Sequence, residues 1–199
     1  MDNIFSNKHI ELLIHAFEQD PMFIKLFKGP RKHRQMKAFF RFVYQRNQLL
    51  NDMYLTDDDI NPSYICFMEK PKHRFKLSLK VRLKLSLKML TLTCYIPIRS
   101  LNFLSRYDVV TKKQRPKENH YYLTMIAVSK EKQGLGIGKT VINNIHDMII
   151  KDLDTHSICL DTENLKNVSY YEHLGYKLVH ESKVNGLSIY HMKKILKWI

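Results

Sequence analysis

Ile126-Ala127-Val128 followed by Gln133-Gly134-Leu135-Gly136-Ile137-Gly138-Lys139 is the stretch that decides the fold. The first three residues end an apolar, strand-like run. A charged turn follows. Three alternate glycines then open a segment in which Ile137, Val141, Ile142, Ile145, Met148 and Ile149 recur at helical spacing. Glycine lets backbone N–H groups turn toward an anion and removes the Cβ atoms that would block it. The new helix adds its unpaired N–H groups and the positive end of its dipole. The layout is that of a phosphate cradle.

Outward from the cradle, Tyr121–Val128 reads as a strand and Ser157–Leu160 as a short buried one. Val168, Tyr171 and Leu174 mark a helix that stops at Gly175. Tyr176–Glu181 and Leu187–Met192, joined through Asn185-Gly186, predict a terminal hairpin. Strand, helix, strand, helix, strand is an α/β core. Toward the N-terminus, Ile10, Leu13, Ile14 and Phe17 predict a helix ended by Asp20-Pro21, and Gly29-Pro30 a turn. Met36, Phe39, Phe40, Val43 and Tyr44 predict a second helix. Met53–Thr56 and Tyr64–Met68 flank an Asp-rich turn and suggest a hairpin. From Phe75 to Met89 apolar residues alternate with Lys, Arg and Ser, the pattern of a two-sided strand, yet leucine and lysine favour helix, so the local state stays open. Lys112–Lys117 reads as a basic loop.

Three phosphate binders compete for the glycines. A dinucleotide fingerprint needs G-x-G-x-x-G, and Lys139 stands where its third glycine belongs. A P-loop needs G-x-x-x-x-G-K-[ST]. Gly138-Lys139-Thr140 matches its end and Asp161 imitates a magnesium-binding strand end, but Gln133 replaces the first glycine. The third reading needs no substitution. Gln133-x-x-Gly136-x-Gly138 after a strand ending in Val128 resembles the acyl-CoA loop of the GNAT superfamily of N-acyltransferases. Downstream, Leu160-Asp161 through Asn167, Tyr171, Gly175 and Tyr176 resembles that family's strand followed by N-x-x-x-Y-x-x-x-G-[FY]. The likeness is specific over 120–192. Phe17–Pro21 resembles the family's first-helix F-x-x-D-P more weakly.

The resemblance implies one GNAT-like domain over 1–199: an α/β fold with a mixed, mostly antiparallel sheet flanked by helices. Residues 120–192 would be the cofactor-binding core and 75–105 a helical insertion on the acceptor side. It implies acetyl transfer from acetyl-CoA to a primary amine by direct attack, with no metal and no covalent enzyme intermediate. Ile126, Ala127 and Val128 would meet the pantetheine arm as an added strand does, and main-chain amides near Ile126 would stabilise the oxyanion. Gln133 would brace the loop, and Gly134, Leu135, Gly136, Ile137, Gly138 and Lys139 would hold the pyrophosphate. Asn167 would contact the CoA arm, or serve only as a helix-start residue. Tyr171 would protonate the leaving thiolate, or be only a core aromatic. No spacing singles out the base among His120, Tyr122, Thr124 and Asp161; His146 and His173 read as solvated.

Composition bounds the rest. The chain of 199 residues carries 33 basic and 19 acidic side chains, a net charge of +14. Such a surface attracts anions and disfavours a strongly cationic acceptor such as a polyamine. A small-molecule amine is the expected acceptor. Nucleic acid is not expected, because the basic segment Lys70–Lys88 offers only Phe75 for stacking. Cys66, Cys94 and Cys159 lack metal-ligand spacing and read as reduced, buried thiols of a cytoplasmic protein. No secretory core or membrane-spanning run is seen, and a homodimer is compatible with the sequence. A Mg-ATP-using P-loop enzyme and a non-catalytic acyl-CoA sensor remain the alternatives.

Overall fold

The computed structural model describes residues 5–71 and 77–196. Three helices come first, α1 (Asn7–Phe17), α2 (Pro21–Leu26) and α3 (Lys32–Leu50). The hairpin β1 (Met53–Thr56) and β2 (Tyr64–Glu69) follows, then α4 (Leu79–Thr93) and α5 (Ile98–Gln114). The C-terminal half is β3 (Tyr121–Val128), α6 (Ile137–Ile150), β4 (Ser157–Thr162), α7 (Leu165–His173), β5 (Lys177–Val184) and β6 (Leu187–Ile195). The six strands form one sheet in the order β1-β2-β3-β4-β6-β5. Only β3 and β4 are parallel; the other four pairs are antiparallel.

The centre of the sheet is buried on both faces, while the edge strand β5 is largely exposed. Successive side chains of a strand point to opposite faces, and β2 shows the consequence. Ile65 and Phe67 enter one core with α1, α2, α3 and part of α5, while Cys66 and Met68 enter the other with α6 and α7. Two-sided burial explains why the sequence of β2 is continuously apolar rather than alternating. Phe23 is the hub of the first core, with Phe17, Phe27, Phe39 and Phe40 rings within 6 Å. Asp20 begins α2 rather than merely ending α1: its carboxylate accepts from the N–H groups of Met22 and Phe23, with Pro21 at the first helical position. Asn185 and Gly186 both take positive φ, 50° and 79°, as a two-residue hairpin turn requires.

The alternating segment is helical from Leu79 onward. Ser78 caps α4 through Val81 N–H, and Val81, Leu85 and Leu92 face the protein. The start of the alternation, including Phe75, lies outside the described residues. Lys112–Gln114 close α5, so the basic loop is shorter than the sequence suggests; the helix runs on until Pro116 forbids continuation. Cys66 and Cys159 are buried free thiols as expected, but Cys94 at the end of α4 is exposed, because α4 is covered on one side only.

Candidate active site

β3 and β4 are joined only at their beginnings. Tyr121, Tyr122 and Leu123 pair with Ile158, Cys159 and Leu160, and β3 then runs on to Val128 without β4. Thr124 marks the departure. Opposite it β2 passes directly from Met68, facing Leu123, to Phe67, facing Met125, so Thr124 is an extra residue in β3. A bulge of this kind bends its strand and sharpens the local twist. Beyond it Ser129 N–H donates to the Ser63 carbonyl at 2.8 Å, directly across the ladder. Antiparallel bonding alternates. Ala127 and Met125 therefore also turn their main-chain groups to β2, and Ile126 and Val128 turn theirs to the open side. Ala127 lies in the strand but not on its open edge. The Gln133 side-chain amide donates to the Val128 carbonyl at 3.1 Å and ties the loop to the strand end.

The glycines divide the work. Gly134 and Gly136 both sit at φ +79°, and a Cβ at either would meet nothing, so conformation rather than space requires them. At Gly138 the reverse holds: φ is ordinary, and a Cβ would meet the Tyr170 hydroxyl at 3.2 Å and Val128 Cγ2 at 3.7 Å. Gly136 is the N-cap of α6 and has no side chain to close the helix end. Thr140 is the first to return its N–H, to the Gly136 carbonyl at 3.0 Å. The N–H groups of Ile137, Gly138 and Lys139 are left open at the positive end of the helix. Leu135 and Lys139 are exposed beside them. Uncapped donors on a turn with glycine at alternate positions fit a diphosphate.

On α7, the capping residue is Asn164, whose side chain accepts from Lys166 N–H at 3.0 Å. Asn167 is exposed on the first turn and donates from Nδ2 to Thr162 Oγ1 at 3.3 Å. Tyr171 is buried in the α6–α7 core, its ring 5.4 Å from Tyr170 and 5.5 Å from Tyr176. Its hydroxyl has no hydrogen-bond partner among the described residues. Burial holds its pKa above the ordinary phenol value, so it keeps its proton.

The opposite face of the sheet carries a polar network. Tyr122 Oη donates to Asp161 Oδ2 at 2.7 Å; His191 Nδ1 bonds Asp161 Oδ1 at 2.7 Å, and His191 Nε2 meets Ser182 Oγ at 2.5 Å. Arg115 lies 3.5 Å over the Tyr122 ring and pairs with Glu69 at 2.6 Å, which Arg46 also contacts at 3.0 Å. Burial first and the Asp161 carboxylate second raise the Tyr122 pKa. Tyr122 and Asp161 are thus each other's partners. Two residues on, Glu163 follows the end of β4, where the Tyr107 hydroxyl of α5 donates to its carboxylate at 2.5 Å. Burial pushes its pKa up to about 8, with Asp20 and Asp161 acting in the same direction. Sequence reasoning passed over Glu163, Tyr107 and Tyr170. The signal for Glu163 was its position, the first residue after the strand that bears Asp161.

His120 is at the paired end of β3, about 20 Å of strand from Ile126. Its Nδ1 bonds the Glu118 carbonyl at 2.8 Å, beside a pocket of about 320 Å³ lined by Glu69, Arg115 and Tyr122. His173 is exposed on α7, as expected. His146 is not solvated: it is buried on α6, with Nε2 3.1 Å from Tyr176 Oη and Nδ1 3.2 Å from Lys194 Nζ. Burial, and then the Lys194 ammonium, lower its pKa to about 4. The P-loop reading does not survive. The sheet has a single parallel pair, Thr140 Oγ1 bonds back to the Gly136 carbonyl at 3.3 Å, and the Asp161 carboxylate is taken by Tyr122 and His191.

An open strand edge beside an uncapped helix start is an arrangement that an extended, phosphorylated ligand fits, and residues 110–196 match the family model of the acetyltransferase (GNAT) domain. Over those residues the chain carries that domain, which marks it as an acyltransferase. The fold is found again in solved structures. One is a histone acetyltransferase HPA2 and related acetyltransferase of Corynebacterium glutamicum, 17% identical, covering 96% of this chain and 90% of that one, with a TM-score of 0.66. Another is arylalkylamine N-acetyltransferase 2 of Aedes aegypti, 12% identical, covering 96% of each chain, TM-score 0.61. A third is the NatC complex bound to Gag peptide and CoA, 14% identical, covering 97% of this chain and 94% of that one, TM-score 0.50. At these identities the likeness is one of fold. No curated protein matches the sequence.

Proposed function

We propose that this protein moves an acetyl group from acetyl-CoA to the primary amine of a small molecule by direct attack, without a metal or an acyl-enzyme. The observation that carries the reading is the free edge of β3 at Ile126 and Val128 beside the uncapped start of α6. Main-chain groups of Ile126 and Val128 bind the pantetheine amides as a neighbouring strand would. The N–H groups of Gly134 to Lys139 hold the pyrophosphate, and Asn167 contacts the arm.

The chemistry needs one proton removed and one supplied. The amine nitrogen bonds to the acetyl carbonyl carbon while an N–H group near Ile126 steadies the oxyanion. Collapse breaks the C–S bond, and the Tyr171 hydroxyl donates its proton to the departing sulfur. Glu163, ionised as pH rises through about 8, takes the proton that the amine gives up. A base with a pKa near the working pH is well matched to an amine. Tyr107 holds the carboxylate in place from α5, and in this reading α5 stands on the acceptor side.

The test compares thermal midpoints with acetyl-CoA, CoA and Mg-ATP. A ligand at about 100 times its Kd stabilises by about 2.7 kcal/mol, or about 5–10 °C for a domain of this size. A rise with acetyl-CoA and CoA alone supports the reading. Release of free thiol is then followed across arylalkylamines, amino sugars and peptide α-amines. A rise with Mg-ATP alone would overturn the reading; a rise with acetyl-CoA but no thiol release with any amine would leave an acyl-CoA sensor.

A further inference from the structure

We infer that α4 is a surface anchor for anionic phospholipid membranes. The helix is 15 residues long, about 22 Å, and its sequence LKVRLKLSLKMLTLT holds four basic residues and no acidic one. At about 100° per residue, Leu79, Leu83, Leu87 and Leu90 fall within about 80° of arc. They are 80%, 61%, 55% and 64% exposed. Centred about 180° away, Val81 and Leu85 are half-buried and Leu92 is buried. The leucines therefore form the outermost ridge of the molecule on that side. A folded monomer gains nothing by four exposed leucines in a row, and contiguous apolar surface of this kind marks a contact.

Charge selects the occupant. Lys80 and Lys84 flank the ridge on one side and Arg82 on the other, where long basic side chains can lift their charges to headgroup level while the leucines sink. The basic flank continues across α3. Arg34, Lys37, Arg41 and Lys88 line a pocket of about 440 Å³ between α3 and α4, with no carboxylate among its lining residues. A second copy would bring the same cations against themselves on a chain of net charge +14. A sheet of anionic phosphates complements both flanks at once. No helix among the described residues is long and apolar enough to cross a membrane, so the contact is in-plane.

The experiment is flotation of the full chain with phosphatidylcholine vesicles and with the same vesicles carrying about one-third phosphatidylserine. Binding should require phosphatidylserine and fall steeply with salt. Leu83→Ser with Leu87→Ser should weaken it at least about 10-fold. Lys80→Gln with Lys84→Gln should weaken it about 10- to 30-fold. Both pairs lie on an exposed face, so thermal midpoints should stay near wild type, which separates lost binding from lost fold. Equal binding to both vesicle types, or binding unaffected by the leucine pair, overturns the inference. Concentration-dependent dimers abolished by the leucine pair, with no vesicle binding, would instead assign the ridge to a second copy.

Discussion

Tyr107 on α5 donates its hydroxyl proton to Glu163 at the end of β4, across 2.5 Å, although 55 residues of chain and two strands separate them. Burial of the Glu163 carboxyl at this contact, which outweighs the opposing Tyr107 hydrogen bond, sets the first prediction. The Glu163 pKa is raised in the folded state, so the unfolded chain releases that proton earlier as pH rises. Its contribution to stability is full below the ordinary glutamate range and is lost as pH rises toward about 8. Glu163→Gln should therefore melt higher than wild type near pH 8 and show less advantage near pH 5. Turnover should drop about 100-fold or more, and the rising limb near pH 8 should vanish. A limb that persists in the variant belongs to the acceptor amine and removes Glu163 from the base role.

Tyr171→Phe should lower kcat by about 10²-fold or more while acetyl-CoA affinity changes less than about twofold. The hydroxyl has no hydrogen-bond partner to lose among the described residues, so the melting midpoint should barely move. Steady-state kinetics across pH is the check; full activity at every pH would return Tyr171 to the role of a core aromatic.

Gly138→Ala places a methyl 3.2 Å from the Tyr170 hydroxyl at the mouth of the cradle. The expected result is an acetyl-CoA Kd raised about 10-fold, measured by calorimetry, from the displaced helix start. Adding Tyr170→Phe removes the atom that the methyl meets and should restore most of the affinity. Gly136→Ala should not be rescued this way, because its φ of +79° is strained whatever surrounds it.

His146 predicts an acid-side weakness. Its folded pKa of about 4 lies below the ordinary histidine value, so the unfolded chain takes up the proton first as pH falls. Stability is lost below about pH 6.5, by up to about 3 kcal/mol near pH 4. The Lys194 ammonium facing Nδ1 fixes the tautomer with the proton on Nε2, toward Tyr176. Midpoints measured from pH 7 to pH 4 should fall more steeply in wild type than in His146→Gln.

The cradle, β3, α6, β4 and α7 were legible because glycine placement and apolar period are local properties. Asn164 and Asn167 show the limit: both fit a helix start, and only the backbone distinguishes the cap from its neighbour. α4 was ambiguous because its apolar residues serve two opposite sides, one packed and one exposed, so they follow no single helical stripe. His146 was misread because its cover comes from Tyr176 and Lys194, far along the chain. Glu163 acquires its character from α5, and the opening of β3 from one unpaired residue, Thr124, in a strand whose sequence gives no sign of the extra position.

β2 and β3 are neighbours in the sheet, yet residues 70–120, with α4 and α5, lie between them. A hairpin would close this pair at once; here closure carries an added entropic cost of about 2 kcal/mol relative to a four-residue loop. Helices form quickly from local contacts, while distant strand pairing is slow. β3 should thus be among the last strands to find its partner during refolding. Pulse-labelled amide exchange would show protection at Ala127 arriving after protection in α6. The edge that receives the acyl donor would then be a product of the final stage of assembly, and a nascent chain released before that stage would be folded in part and chemically silent.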